Sequence, residues 1–535
     1  MNGTARRLLE ALGDTAPAFV PRRAGELPGR TRRVLAALAD TPLRRDADEY
    51  RPRPARTASP RLVLAAVLTG LLAVGVDQSA TGVAAVRIAS ALGGLDELAW
   101  LSTPYLAAFL VTGFIARRAA DRIGIRRCLL FALAALAAGA AMTVVAPAMP
   151  WLAVARAWQG AAAGAVAVLA VRLLVEVPEP HARGRYLGAH AAAYGAMTVA
   201  GPVLGGAAAD AGPRWLFAAE AVLATLGFAF AAAVVPGRTS RSPDRTPGAG
   251  AGSLLLVLVP LVVVTGAGAR WGWGSAAAVL CYTLSALGIV VFAAVTGSAG
   301  DRAVLPPRLL RERWSAPSLV GAFLAGTIVP AVFVLTPVHL QVVLGLSPGA
   351  AGLLVTPAAL AMLAASAAAR PLLIRTGQGR AVAVTGALLA VAGLGSFAWA
   401  GTAAGAAVIV GCGMLTGAGL GLVNPILTDL LVSGASFSQW NSASTALNVA
   451  RLSGVFVGTG GYLAVLFAAP GRPSATATTV AFLAAAGVAL AAVVAVLFLR
   501  DTRSGLGPPP AADDREGRPV PRVTGSLYHW PQTGF

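Results

Sequence analysis

Apolar runs of about twenty residues recur along most of this chain, separated by short stretches that hold most of its charge and turn residues. About twenty residues of helix rise about 30 Å, the thickness of a bilayer's hydrocarbon core. Fourteen such segments are predicted as membrane helices. They fall near 62–86, 99–118, 128–148, 151–174, 186–208, 215–236, 252–269, 275–297, 317–341, 349–370, 380–400, 404–431, 442–468 and 476–499. Only the APAMP stretch at 146–150 divides the third from the fourth.

The ends read differently. Residues 1–60 carry RTRR at 30–33, RR at 44–45 and most of RPRPARTASPR, which ends at Arg61, but no apolar core of the kind a signal peptide needs. A disordered cytoplasmic tail that helps set topology is expected there, and its arginines could also meet anionic lipid. The last stretch, 501–535, with Pro508–Pro510 and DDREGR at 513–518, is expected to be a second disordered tail.

Composition narrows the function. Of 535 residues 56% are hydrophobic and 12% charged, with a mean hydropathy of +0.72. Soluble proteins carry about 25% charged residues. A soluble enzyme and a nucleic-acid binder are both disfavoured. The net charge of +19 would suit nucleic acid in a soluble protein, but here the arginines lie between apolar runs. With the N-terminus inside, cytoplasmic loops hold Arg117, Arg118, Arg122, Arg126 and Arg127, then Arg183 and Arg185, then Arg238, Arg241 and Arg245. Arg302, Arg308, Arg311, Arg313, Arg375 and Arg380 follow, whereas the opposite loops hold little beyond Arg87, Arg214, Arg270 and Arg472. This asymmetry predicts a multi-pass protein of the cytoplasmic membrane with both termini in the cytoplasm. Cys128, Cys281 and Cys412 are too far apart for a disulfide framework or a metal motif, and no P-loop is present to use ATP.

Several stretches recur in a known order: VDQSATGVAAVRIASALGGLDELAW from Val76, RRAADRIGIRR from Arg117, RAWQGAAAG from Arg156, GAMTVAGPVLGG from Gly195 and RWLF from Arg214. RWGWGS at 270–275, LPPRLLRER at 305–313, HLQVVLGLSPGAAGL at 339–353, GAGLGLVNP at 417–425 and ASTALNVARLSG at 443–454 continue it. Over about 70–500 the chain resembles the major facilitator superfamily, in particular its fourteen-span drug:proton antiporters. The resemblance implies an all-α membrane protein of two six-helix bundles, 61–236 and 301–500, with two extra helices within 237–300. It implies a non-enzymatic, monomeric exporter of hydrophobic small molecules, neutral or cationic, such as drugs or antibiotics. Its partners would be substrate, protons and the bilayer, with no cofactor, metal or nucleic acid.

Individual residues acquire roles on that basis. An ionised carboxylate inside a span is costly unless it faces a partner or a cavity, so Asp77 is the candidate proton carrier. Its helical face (Gly70, Ala73, Thr81, Ala84) is small and polar, as a pathway wall would be. Arg156, with Gln159 a turn away, is the fixed positive charge that the resemblance couples to proton binding. Asp121, Gly124 and Arg126 match a cytoplasmic motif whose aspartate pairs with an arginine across the bundle interface as a conformational latch. Arg117 and Ile125 depart from that motif. Gly195, Gly201, Pro202, Gly205 and Gly206 match a fifth-span antiporter motif, with Pro202 expected to bend the helix. Glu220 stands where relatives carry a neutral residue such as asparagine. It would attract a cationic substrate or serve as a second proton site, or else be an interfacial residue near the outer surface. Thr81, Gln159, Glu220, Asn448 and Arg451 form the expected cavity. His190 and His339 are expected to be hydrogen-bonded packing residues, and Asp429 to lie near a cytoplasmic end. Rival readings are an importer or metabolite or siderophore transporter of the same fold, and a transport-inactive scaffold or sensor.

Overall fold

A computed structural model describes residues 59–177, 182–235, 250–300, 303, 306–312, 315–400, 405–434, 440–468 and 473–499. The chain divides into 1–57, which lies outside the described residues, and the helical unit 58–535. The expected tails therefore lie outside the description, except for Ser59 and Pro60 at the join. So do Arg238, Arg241, Arg245, Arg302, Arg313 and Arg472.

Among the described residues the unit holds fourteen long helices. They are α1 (Pro60–Leu92), α2 (Ala99–Ile123), α3 (Ile125–Val144), α4 (Met149–Glu176), α5 (Arg183–Ala211), α6 (Arg214–Val234) and α7 (Leu254–Trp271). There follow α8 (Ala276–Ala299), α9 (Ala316–Val343), α10 (Pro348–Thr376), α11 (Gly379–Ala400), α12 (Ala406–Gly434), α13 (Trp440–Leu466) and α14 (Ala475–Leu497). A five-residue helix, Pro307–Arg311, precedes α9. Among the described residues thirteen of the fourteen are long and apolar enough to cross a membrane. The exception is α5, whose 29 residues include Arg183, Arg185, His190 and the glycines around Pro202. Its length suffices and its composition does not, because the face it turns to neighbouring helices is small and polar instead of greasy.

Leucine and alanine, good helix formers, fill these elements, and the ends carry local signals. Ser275, Ser347 and Ser474 cap α8, α10 and α14, each accepting a hydrogen bond from the backbone N–H three residues on. The turn between α2 and α3 is the single residue Gly124 at φ +93°, a conformation that side chains with a Cβ resist. Several helices outrun the apolar segments that announce them. α1 continues past Arg87 to Leu92, because helical hydrogen bonding persists where the chain leaves hydrocarbon. Nor does Pro202 interrupt the helix, since α5 runs unbroken from Arg183 to Ala211.

Helix contacts repeat. In the first half α1 packs on α5 and α6, α4 on α2 and α3, and α3 on α6. In the second half α9 packs on α13 and α14, α12 on α10 and α11, and α11 on α14. α7 and α8 pair with each other, and α7 also touches α2 and α13. The α7–α8 connection ties both halves. Arg270 pairs with Asp96 at 3.1 Å and with Glu97, while the Trp273 indole donates to the Phe467 carbonyl at 3.2 Å. Glycine permits the closest crossings. A Cβ on Gly160 or Gly164 would meet the α2 backbone at Tyr105 or Phe109, and one on Gly454 or Gly458 would meet the α9 backbone at Phe323 or Thr327.

Within α9, two π-helical stretches, Ala331–Leu335 and His339–Val343, follow Pro330 and Pro337. Both face α1. A Cβ on Gly82 would meet the Phe333 carbonyl, and the Gln341 amide donates to the Val83 carbonyl at 2.8 Å. Such irregular turns often sit at functional contacts, and here they lie where the two halves touch.

Candidate functional site

Inside the first six helices lies a polar cluster closed off from solvent. Asp77 and Gln159 are 0% exposed, Glu220 1% and Arg156 2%. Arg156 donates from all three guanidinium nitrogens. Nη1 donates to Asp77 Oδ1 at 2.7 Å and to Gln159 Oε1 at 2.8 Å, Nη2 to Asp77 Oδ2 at 3.2 Å, and Nε to the Leu101 carbonyl at 2.8 Å. Thr81, one turn along α1, donates to Asp77 Oδ1 at 2.8 Å. The Arg156 guanidinium also stacks over the Tyr105 ring, 4.4 Å from its centroid, with Phe217 on another side at 5.5 Å. Beyond Gln159, whose Oε1 also accepts from Thr143 at 3.3 Å, the amide nitrogen donates to Glu220 Oε2. Four side chains from α1, α4 and α6 thus form one chain: Asp77, Arg156, Gln159, Glu220.

Two-armed pairing of guanidinium with carboxylate is the strong form of such a contact. In a low-dielectric interior it compensates the loss of hydration only while both partners remain. Neutralising Asp77 removes the reason for Arg156 to hold that position, while the Leu101 carbonyl and Gln159 remain available to it.

The face of α1 that carries Asp77 is not an accessible wall, contrary to the sequence expectation. Gly70, Ala73, Thr81 and Ala84 are buried, and Gly70 packs against Leu133 and Gly227. Small residues there serve close helix approach. The polar side chain turned toward accessible surface is the next one, Gln78, which accepts from the half-exposed Tyr194 hydroxyl at 2.6 Å. The five expected cavity residues accordingly separate. Thr81, Gln159 and Glu220 are buried in the first-half cluster. Asn448 and Arg451 are exposed on one face of α13, joined by an Arg451–Asn448 hydrogen bond of 2.9 Å. Arg451 lies within electrostatic reach of Tyr194 on α5.

The Asp121 motif has a described ion pair within the first half. Asp121 pairs with Arg172 on α4, in the same half, at 2.6 Å, and Arg172 is further held by Glu176 at 2.6 Å. Arg126 donates at 2.6 Å to the Ala232 carbonyl in the last turn of α6, a favourable place for a cation. These contacts clamp one end of the first half. Arg172 is the residue missed from sequence. Its spacing to Glu176 (i, i+4) is visible there, its pairing with α2 is not.

The fifth-helix motif works on two faces at once. A Cβ on Gly201 would meet Ser79, and one on Gly205 the Ala80 backbone, both on α1. On the other face Gly206 abuts Pro348, the Pro202 carbonyl abuts Gly352, and Gly195 faces Leu363, all on α10. Asp210 accepts from the Gly349 N–H at 3.0 Å. The motif is thus a seam between the halves, and with the α1–α9 contacts it closes the end at which α1 and α5 finish.

His339, expected to be hydrogen-bonded, is buried with neither ring nitrogen partnered, edge-on to Phe397 and Phe482. His190 Nδ1 likewise has no partner.

A family model described as Major Facilitator Superfamily matches residues 67–459. Over 405 residues the chain is 29% identical to an uncharacterized MFS-type transporter of Mycobacterium tuberculosis (strain ATCC 25618 / H37Rv), covering 74% of this chain and 58% of that protein, less than two thirds of its length. It is 25% identical over 381 residues to the multidrug transporter protein MdtP of Bacillus subtilis (strain 168), covering 71% and 70%. The fold resembles the crystal structure of a peptide transporter, POT, in complex with sulfate, with a TM-score of 0.60 at 15% identity over 81% of this chain and 93% of that one. The matched region takes in the cluster of Asp77, Arg156, Gln159 and Glu220 and most of both halves, and the chain belongs to the Major Facilitator Superfamily.

Proposed function

We propose that this protein is a fourteen-span antiporter that exports hydrophobic small molecules, such as drugs or antibiotics, across the cytoplasmic membrane in exchange for protons. The observation that carries the reading is the fully buried Asp77–Arg156 pair inside the first six helices. A titratable ion pair without solvent access has little structural justification, since apolar side chains would pack there at lower cost. It has a clear use as a switch that a proton opens. The multidrug name of the Bacillus subtilis relative supports the substrate class. One proton crossing 100 mV supplies about 2.3 kcal/mol, enough to sustain a gradient of about fiftyfold.

On this reading α1–α6 and α9–α14 are the two bundles, α7 and α8 the inserted pair, and both termini lie in the cytoplasm. The closed end then faces outward, and Asn448, Arg451 and Tyr194 line the route from inside. Alternation proceeds by rocking of the bundles about the α5–α10 and α1–α9 seams. The protein acts as a monomer. The tight α5 seam favours export over uptake, and the intact Asp77–Arg156 pair argues against an inactive scaffold.

Two measurements test this. Asp77→Asn is expected to abolish substrate-induced proton movement in reconstituted vesicles while substrate still binds; an unchanged proton-to-substrate ratio refutes the coupling. Reporter fusions at Arg245 and Arg503 are expected on the cytoplasmic side and one at Gly212 outside. The reverse pattern overturns the orientation.

A further inference from the structure

The cluster in α1–α6 contains two carboxyl groups and one guanidinium. Arg156 commits both arms to Asp77, which Thr81 also serves. Glu220 receives one hydrogen bond, from Gln159, and its Oε1 has no partner. The amide orientation is fixed by its neighbour. A guanidinium only donates, so Gln159 must turn its oxygen to Arg156 and its NH2 to Glu220. The charged groups acting on Glu220 are Asp77 on α1 and Arg156 on α4, and Tyr105 on α2 is its other titratable neighbour. From α3, Thr143 reaches it only through Gln159, and among the described residues no charged side chain of α3 or α5 acts on it.

This donor set can neutralise one carboxylate. A second, 1% exposed and held by one neutral donor, would be an uncompensated charge in an apolar interior, which costs several kcal/mol. A neutral acid accepting at Oε2 leaves only an ordinary unsatisfied polar atom, a far smaller cost. We propose that the cluster is a two-carboxylate, one-proton site, in which Glu220 holds the proton while Arg156 is paired with Asp77. The same cation can serve either acid. When Asp77 takes up a proton from solvent, Arg156 is free to neutralise Glu220, which then releases its own proton. The cluster carries one proton in both arrangements, and Gln159, bonded to both Arg156 and Glu220, links them. The meaning for transport rests on proton-coupled export. The protonation itself does not.

Infrared difference spectroscopy on the full chain in lipid films tests it. At neutral pH the wild type is expected to show the carbonyl stretch of a protonated, buried carboxylic acid. Glu220→Gln should remove that band with no loss of thermal stability, since the amide imitates the neutral acid. Carbon-13 labelling of glutamate should move the band in the unmutated protein, which keeps the test decisive if the variant folds poorly. Asp77→Asn should also abolish the band at neutral pH, because Arg156 then pairs with an ionised Glu220. A wild-type spectrum with no glutamate-derived carboxylic acid band overturns the proposal. Retention of the band in Asp77→Asn overturns the shared proton. Failure of proton-coupled export alone would appear in vesicle proton flux with these spectra unchanged.

Discussion

Arg156→Ala is expected to lower the stability of the protein by about 3–5 kcal/mol, the usual cost of breaking a buried ion pair by removing one partner. The loss has identifiable parts. Asp77 keeps only the Thr81 hydroxyl, the Leu101 carbonyl loses its donor, and Gln159 loses the group that orients it. Tyr105 and Phe217 are left beside a cavity where the guanidinium had stacked. Arg156→Lys should recover part of the loss. An ammonium restores the charge, yet it cannot reproduce two parallel bonds to Asp77 together with a third to Leu101. The double variant Asp77→Ala with Arg156→Ala should fall short of the sum of the single losses by about 0.5–3 kcal/mol, as contacting residues do. Thermal unfolding midpoints of the four proteins in one detergent measure this. Strict additivity would mean that the two side chains do not act as a pair.

Gly352→Val and Gly206→Val should each open the seam between α5 and α10. A Cβ at either position meets backbone, the Pro202 carbonyl for Gly352 and the Pro348 carbonyl for Gly206. Backbone cannot step aside as a flexible side chain can, so overpacking of about 1–3 kcal/mol falls on this conformation. The alternative conformation, with that seam parted, does not bear it. Since about 1.4 kcal/mol is a factor of ten in population, the open form should gain about 5- to 140-fold and transport should fall correspondingly. Spin labels on the exposed residues Ala211 and Ser347, in a background without the native cysteines, would report the seam directly. The variants should show longer distances than the parent. Lost transport at unchanged distances would place the block elsewhere.

The architecture was largely legible in the sequence, for a physical reason. Hydrocarbon demands about twenty apolar residues per crossing and cytoplasmic loops gather arginine, so length, number and order of helices leave marks in one dimension. The cost of burying charge also singled out Asp77 and Arg156, and a single turn of helix placed Thr81 beside Asp77. Helical period fixes such relations within one helix. It does not fix how that helix is rotated about its axis. In water an apolar stripe would give the rotation away, but lipid and neighbouring helices are equally apolar, and packing alone decides which face is inward. Hence only the tertiary structure turned Gly70, Ala73 and Ala84 into the bundle, set Glu220 against Gln159, brought Arg172 to Asp121, and sent Arg451 to an accessible surface. The α5 motif shows the same division. Its glycines predicted close packing, while their two opposed contacts, with α1 and with α10, follow from where those helices lie in space.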